Sequence, residues 1–267
     1  MSMNFQIVRY NFISQKVRKP LRIVMIADLH NQVYGLENTD LLTAIDTEQP
    51  DIILLPGDMI VWWKSERKNN RVTADTIRKM TEIASVYYSY GNHERGLLEC
   101  VRETDGIWQE YSQHLKGAHH LHMLVNAHEF LEPWNVCLYG LDLPRAYYKR
   151  LIKKPLREDV LTSMLGKMQP DHCNVLLAHN PDYFRSYCTL HPDLIVSGHN
   201  HGGMIRIPGL GGVISPRLHP FPKYDYGVYE STDSQTKMVV TAGCGMHSIH
   251  IRINNPPEMV VIDVNKM

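Results

Sequence analysis

Aspartate, asparagine and histidine recur in five short clusters along the 267-residue chain, each directly after an apolar run: Asp28-Leu29-His30, Gly57-Asp58, Gly91-Asn92-His93-Glu94, Ala178-His179-Asn180 and Gly198-His199-Asn200-His201. These are side chains that hold divalent metals. Asp28 and His30 stand two apart at the end of a predicted strand, and in extended backbone residues i and i+2 share a face, so both can reach one ion. His199 and His201 repeat that spacing, and Gly198 ahead of them permits a tight turn off the strand. Asp58 has two carboxylate oxygens and can bridge two ions, Asn92 offers a neutral oxygen, and His179 completes the set. Seven donors are too many for one tetrahedral zinc. Two ions about 3.5–4 Å apart use them all, and such a pair supports in-line displacement at phosphorus. Mixed imidazole and carboxylate donors favour Mn, Fe, Zn or Co over Ca and Mg, which prefer oxygen alone. A single strand-end Asp or His is usually a turn or cap residue. Five such clusters would each have to arise independently.

The elements that must position these residues are visible as alternating apolar runs and helical patterns. Strands are predicted over residues 22–26, 51–55, 86–90, 136–141, 174–178, 193–197, 237–242 and 259–264, and helices over 40–48, 74–84 and 157–168. Several runs are continuous in β-branched residues and Leu, as in strands covered on both faces. The first third reads as βαβαβ, which implies parallel strands with right-handed crossovers. Later runs are closer together and divided by Gly and Pro, which predicts a more antiparallel, hairpin-rich second sheet. Every cluster lies at a strand's carboxyl end, where open α/β sheets build their sites. Without a repeat, a low-complexity segment or a linker, residues 1–267 are expected to form one domain, two packed sheets with helices outside.

Composition narrows the function classes. The 28 basic and 28 acidic residues cancel, so no overall field recommends a nucleic-acid partner, and none is predicted. The five cysteines form no CxxC pair and are odd in number, as expected of reduced thiols in a cytosolic protein. No apolar run reaches the ~18 residues that span a bilayer. Arg9, Lys16, Arg18 and Lys19 interrupt the first twenty residues, where a signal peptide would need an apolar core. A cytoplasmic location is expected, with peripheral membrane contact left open.

In this order, Asp-x-His, Gly-Asp, Gly-Asn-His-Glu, His and Gly-His-x-His, the clusters resemble those of the calcineurin-like metallophosphoesterase superfamily, in particular its compact bacterial phosphodiesterases. The similarity runs from about Leu21 to the C-terminus and takes in Gly202-Gly203 and residues 205–208, 224–229, 243–245 and 257–262. The resemblance implies a two-sheet mixed β-sandwich flanked by helices, a four-layer α/β/β/α fold. It implies that Asp28, His30 and His201 hold one metal, Asn92, His179 and His199 hold the second, and Asp58 bridges them, with Mn the leading choice. His93 matches the family's catalytic histidine, and Glu94 is expected to cap the following helix or orient His93. The implied reaction is phosphoester hydrolysis by in-line attack of a hydroxide activated by the two ions, on a small or lipid-linked diester. A phosphomonoesterase or nucleotidase with the same centre is the alternative. A non-catalytic scaffold, free to lose ligands, ranks last because every position is filled. Met204, where many relatives carry Gln, and Met246-His247-Ser248 depart from the pattern and bear on substrate fit.

Two basic stretches remain. Trp62-Trp63 precedes Lys64, Arg67, Lys68 and Arg71, and can form part of a pocket rim. Arg145, Lys149, Arg150, Lys153, Lys154 and Arg157 interleave with Tyr147, Tyr148, Leu151 and Ile152, as in a lid over an anionic substrate or a helix on an anionic membrane. The plainer reading of both is a solvated face. His119, His120, His122 and His128 are read as surface or core residues.

Overall fold

Side chains of the central strands are buried almost throughout and alternate between faces, which sorts them into separate cores. The computed structural model describes residues 5–62, 70–100, 106–149, 154–216, 218–232, 235–246 and 251–267. In β2 (Leu21–Met25) and β3 (Ile52–Leu55), Ile23, Met25, Ile52 and Leu54 enter a central core, while Val24, Ile53 and Leu55 enter an outer one. In β7 (Val136–Leu141), β8 (Cys173–Ala178) and β9 (Leu194–Ser197), Leu138, Val175, Leu177, Leu194 and Val196 join the same central core from the other side. Their neighbours Tyr139, Leu176 and Ile195 face a third core. Side-chain period two thus makes each sheet apolar on both faces. The expected four layers follow, with a central core between two sheets and helices on each outer face.

The first sheet is completed by β1 (Gln6–Ser14), β4 (Ser85–Tyr88), β5 (Leu121–Met123) and β14 (Glu258–Lys266), in the order β1-β14-β2-β3-β4-β5. Strands β2 to β5 are parallel, as the βαβαβ pattern predicts, and only β14 and β2 pair antiparallel. Its outer face is covered by α1 (Thr39–Thr47), α2 (Asn70–Ile83), α3 (Asn92–Glu99) and α4 (Ile107–Leu115), through Leu41, Ile45, Ile77, Met80, Leu97 and Tyr111.

The second sheet adds β6 (Ala127–Leu131), β12 (Gly227–Glu230) and β13 (Lys237–Val240), in the order β12-β13-β9-β8-β7-β6. Leu161 and Leu165 of α5 (Glu158–Leu165) cover it together with Phe184 and Tyr187. The second sheet is more antiparallel than the first, as expected, with two antiparallel pairs against one, but its interior is parallel. Strands β13, β9, β8 and β7 run parallel, and only the edge pairs β12–β13 and β6–β7 are antiparallel. The Gly- and Pro-rich segment that suggested hairpins builds a separate two-stranded ribbon, β10 (Ile205–Ile207) with β11 (Gly211–Ile214), outside either main sheet. Among the described residues no helix is long and apolar enough to cross a membrane. The described cysteines, Cys100, Cys137, Cys173, Cys188 and Cys244, are free thiols.

Candidate metal centre

Parallel β2, β3 and β4 deliver the first three clusters to one end of their sheet, and β8 and β9 deliver the last two to the facing end of theirs. The loops after β2 and β3 run side by side: Asp28 N–H donates to Gly57 O, His30 N–H to Asp58 O and Asn31 N–H to Met59 O, each at 3.1 Å. The sheets are joined by Asp28, whose Oδ2 accepts from His199 N–H at 2.9 Å.

The backbone here is not extended, which corrects the i, i+2 expectation. Asp28, His30, Asp58, His199 and His201 all have positive φ, between 47° and 71°. Non-glycine residues adopt that region rarely, at a cost of order 1–3 kcal/mol each when surrounding structure enforces it. Gly198 also acts otherwise than expected. Its service is the missing side chain, since a Cβ there would lie 2.3 Å from Asp28 Oδ2. Gly57 does need its freedom: φ is +95°, and a Cβ would lie 2.4 Å from Gly91 N.

The predicted donors converge. Asp28, His30, Asp58, His93, His179, His199 and His201 are each no more than 5% exposed. His201 Nε2 lies 3.3 Å from Asp28 Oδ1 and 3.0 Å from His30 Nε2. His179 Nε2 lies 3.0 Å from Asp58 Oδ2 and 3.8 Å from Asp28 Oδ1. His30 Nε2 and His93 Nε2 each stand 3.9 Å from Asp58 Oδ2. Three overlapping donor groups result: Asp28 with His30 and His201, His30 with Asp58 and His93, and Asp58 with His179 and His199. Asp58 stands in two of them. Asn92 begins α3 beside them, with its Oδ1 buried and accepting no hydrogen bond among the described residues.

Supporting contacts fix these side chains. His179 Nδ1 lies 2.8 Å from Pro56 O, so it donates there and turns a basic Nε2 toward the carboxylates. Trp62 N–H points at His93 Nδ1 at 3.4 Å, which leaves the His93 proton on Nε2. Glu94 does what a capping box does and more. Its carboxylate accepts from the backbone N–H of Gly91, Asp58 and Met59 at 2.8–2.9 Å and from Tyr88 Oη at 2.7 Å, tying the β3 loop to the α3 N-terminus. Burial, reinforced by the charge on Asp58, raises the Glu94 carboxyl above the usual range. Burial also opposes the charge on Asp58, but the rings of His179 and His93 outweigh it and hold that carboxyl well below its ordinary value. His93 is pushed down to about 4, chiefly by burial. For His179 burial is outweighed by Asp58 and Asp28, and the ring rises to about 9. Two carboxylates are thus packed among five imidazoles.

A cleft of about 700 Å³ opens on one side of the cluster. Asp58, Asn92, His93 and His199 face it, and Trp62, Arg145, Tyr148 and Lys149 wall it. Trp62, Arg145 and Lys149 belong to the two basic stretches. Tyr148 stands in the second of them only as an interleaved aromatic, and the turn Arg145–Tyr148 brings it edge-on to His199 with ring centroids 5.3 Å apart. Trp63, Lys64, Arg67 and Lys68 of the first stretch, Arg150 to Lys153 of the second, and residues 247–248 of the departing segment lie outside the described residues. Met204 is buried. His119, His120 and His128 are exposed, and His122 pairs with Glu129 at 2.8 Å. Arg252 has no counterpart among the sequence expectations. Its Nη2 donates to Ala242 O and Gly245 O at 2.8 and 2.5 Å and lies 3.4 Å from His201 Nδ1, bracing the loop behind Asp28.

A family model described as calcineurin-like phosphoesterase matches residues 21–203 of the chain. An uncharacterized metallophosphoesterase of Campylobacter jejuni is 26% identical over 257 residues, which span 93% of this chain and 60% of that protein. The phosphodiesterase YaeI of Escherichia coli is 25% identical over 264 residues, 97% of this chain and 88% of that one. The crystal structure of TT1561 from Thermus thermophilus aligns with 82% of this chain and 88% of its own, at 12% identity and a TM-score of 0.47.

Proposed function

The chain belongs to the calcineurin-like phosphoesterase family, and from that premise we propose that it is a phosphodiesterase working with two divalent cations. The observation that carries this reading is the convergence of Asp28, His30, Asp58, His93, His179, His199 and His201 from two sheets into one buried cluster. The donor set fits cations. His30 Nε2 and His201 Nε2 face each other at 3.0 Å, and a buried amide oxygen of Asn92 accepts nothing from the described chain. Like donors crowded in this way are reconciled by a cation among them.

In this assignment Asp28, His30 and His201 hold one ion, Asn92, His179 and His199 hold the other, and Asp58 is shared. Manganese suits the mixed donors, and Fe, Zn or Co would suit them too. When bound, two such ions supply Lewis acidity to a phosphate oxygen and to the attacking water. The chain's own groups do the rest. His93, neutral because it is buried and carrying its proton on Nε2, is placed to donate a hydrogen bond to the departing oxygen and stabilise its charge. Glu94 keeps Asp58 and the first turn of α3 in register. Pro56 O holds His179 in the tautomer whose Nε2 is free to ligate. The cleft gives an ester access from the side of His93 and His199.

The preference for a diester, small or lipid-linked, takes its support from the phosphodiesterase name of YaeI. The test is turnover of bis(p-nitrophenyl) phosphate against p-nitrophenyl phosphate by Mn-reconstituted protein, with and without chelator. Faster, chelator-sensitive cleavage of the diester is expected. Faster cleavage of the monoester would make the protein a phosphomonoesterase, and cleavage of neither by metal-loaded protein would end the hydrolase reading.

A further inference from the structure

The cleft wall beside the centre carries two cations without anionic partners of their own. Among the described residues neither Arg145 nor Lys149 forms an ion pair, whereas the adjacent Arg95 is held by Asp142 at 2.6 Å and by Glu99 at 3.6 Å. Glu99 shares the cleft wall and stays with Arg95. The chain as a whole has a formal net charge of zero, so this local excess is not part of a general basic surface. Arg145 is positioned without being neutralised. Its guanidinium lies 4.7 Å over the Trp62 ring, and Nη1 donates to Cys100 Sγ at 2.8 Å. Trp62 in turn packs on α3 at Gly96, where an added Cβ would lie 3.0 Å from the indole. At the other end of the same turn, buried Tyr148 sets its ring against His199. The turn is therefore clamped between an indole seated on α3 and a candidate metal ligand, which fixes its cations relative to the centre.

We propose that Arg145 and Lys149 form an anion subsite for a second phosphate group, so that the substrate class is a pyrophosphate-linked diester. This rests on the hydrolase reading above and names the substrate for it. The charge of the phosphate under attack is met at the centre. Positive charge on this wall serves a neighbouring anionic group, and the planar arginine fork matches phosphate oxygens two at a time while lysine adds a point charge. In the reaction the oxygen of water bonds to the phosphorus at the centre. The bridging P–O bond breaks with its electron pair going to the leaving phosphate, which takes up the proton from water. Two phosphomonoesters result.

The experiment compares kcat/KM for a nucleoside-diphosphate sugar with kcat/KM for bis(p-nitrophenyl) phosphate, which carries a single charge, in Mn-reconstituted wild type and in Arg145→Ala, Arg145→Lys and Lys149→Ala. Wild type is expected to prefer the pyrophosphate ester. Arg145→Ala should lower the ratio of the two by about tenfold or more, the size of one lost charge-assisted contact. Arg145→Lys should restore part of the ratio, and exposed Lys149→Ala should lower it less. A ratio unchanged in all three variants overturns the subsite even if both rates fall, because a structural role would lower them together. A loss greatest on p-nitrophenyl phosphate also overturns it, since the wall would then read the charge of the reacting phosphate itself. Wild-type protein that cleaves no phosphoester at all removes the hydrolase reading and the subsite with it. Cleavage of bis(p-nitrophenyl) phosphate at an unaltered ratio removes the subsite alone.

Discussion

The two halves of the buried cluster are built differently. Asp28, His30 and His201 are enclosed: a Cβ on Gly198 or Gly243 would come within 2.3 or 2.7 Å of Asp28, and Arg252 braces the backbone behind them. None of the three faces the cleft. Asp58, Asn92, His93 and His199 do face it. The enclosed half is shaped by backbone in close contact and can hold a cation with little room for anything else. The open half has the same donor chemistry but adjoins space for an ester and includes His93, which the Trp62 N–H leaves protonated on Nε2. The difference teaches that a centre of near-symmetric donors can be made directional by where glycines let backbone close in and where they do not.

The largest expected effect comes from the residue common to both halves. Asp58→Asn should deplete both cation positions on metal analysis. Its turnover should fall by more than the roughly 10²–10³-fold that one lost electrostatic group costs in such a site. Asp28→Asn sharpens the comparison, because it should strip one cation and leave the other. Equal depletion by the two substitutions would show that the halves do not bind separately. Both metals at wild-type affinity in Asp58→Asn would remove the bridging role.

His93→Ala comes next. It lies on the open side, where it should leave both cations bound and cost about 10²–10³-fold in turnover, the usual range for a lost donor to developing charge. Metal content measured beside rate separates the outcomes. Full activity would take His93 out of the chemistry. Loss of a metal would make it a ligand, as its place in a donor group with His30 and Asp58 allows.

How much of this is readable in advance follows from the range of the interactions concerned. The donors are readable because each stands in a short cluster after a strand whose continuous apolar run reports burial on both faces, as in Ile52–Leu55 or Cys173–Ala178. The edge strands Gln6–Ser14, Ala127–Leu131 and Gly227–Glu230 escape the sequence pattern, because their exposed and half-buried positions mix polar with apolar residues. Local Gly and Pro report the antiparallel edges of the second sheet but not its parallel interior, since parallel pairing depends on crossovers far longer than a turn. The positive φ values at Asp28, His30, Asp58, His199 and His201 also escape, since nothing in an Asp or His announces left-handed backbone. Contacts between distant segments, such as Arg252 with Gly245 or Tyr148 with His199, have no local signal at all.

A smaller effect distinguishes the halves by pH. Behind the open half, α3 is tied to the end of β7 by Arg95 and buried Asp142, whose carboxyl is pushed up by burial to about 6 from an ordinary 3.8, against the pull of Arg95. A carboxyl with a raised pKa in the folded chain binds its proton more tightly there than in the unfolded chain. Its contribution to stability is complete below about pH 4 and is lost as pH rises to about 6. Asp142→Asn, which cannot ionise, should therefore gain on wild type by up to about 3 kcal/mol between those limits. Urea unfolding of both proteins at pH 4 and pH 7 measures it. A difference that does not change with pH would mean that Arg95 compensates the buried charge in full.

The smallest expected effect tests the enclosed half by itself. Gly198→Ala would place a methyl 2.3 Å from Asp28 Oδ2, so the carboxylate or the loop that carries it must shift. Crowding of this kind usually costs roughly 1–3 kcal/mol. Part of that cost should appear as weaker binding of the cation at Asp28, His30 and His201, with the cation at Asn92, His179 and His199 retained. Metal titration followed by urea unfolding reads both. Binding weakened equally at the two positions would show that the strain spreads through Asp58, and the enclosed and open halves would then be one mechanical unit with two chemical ends.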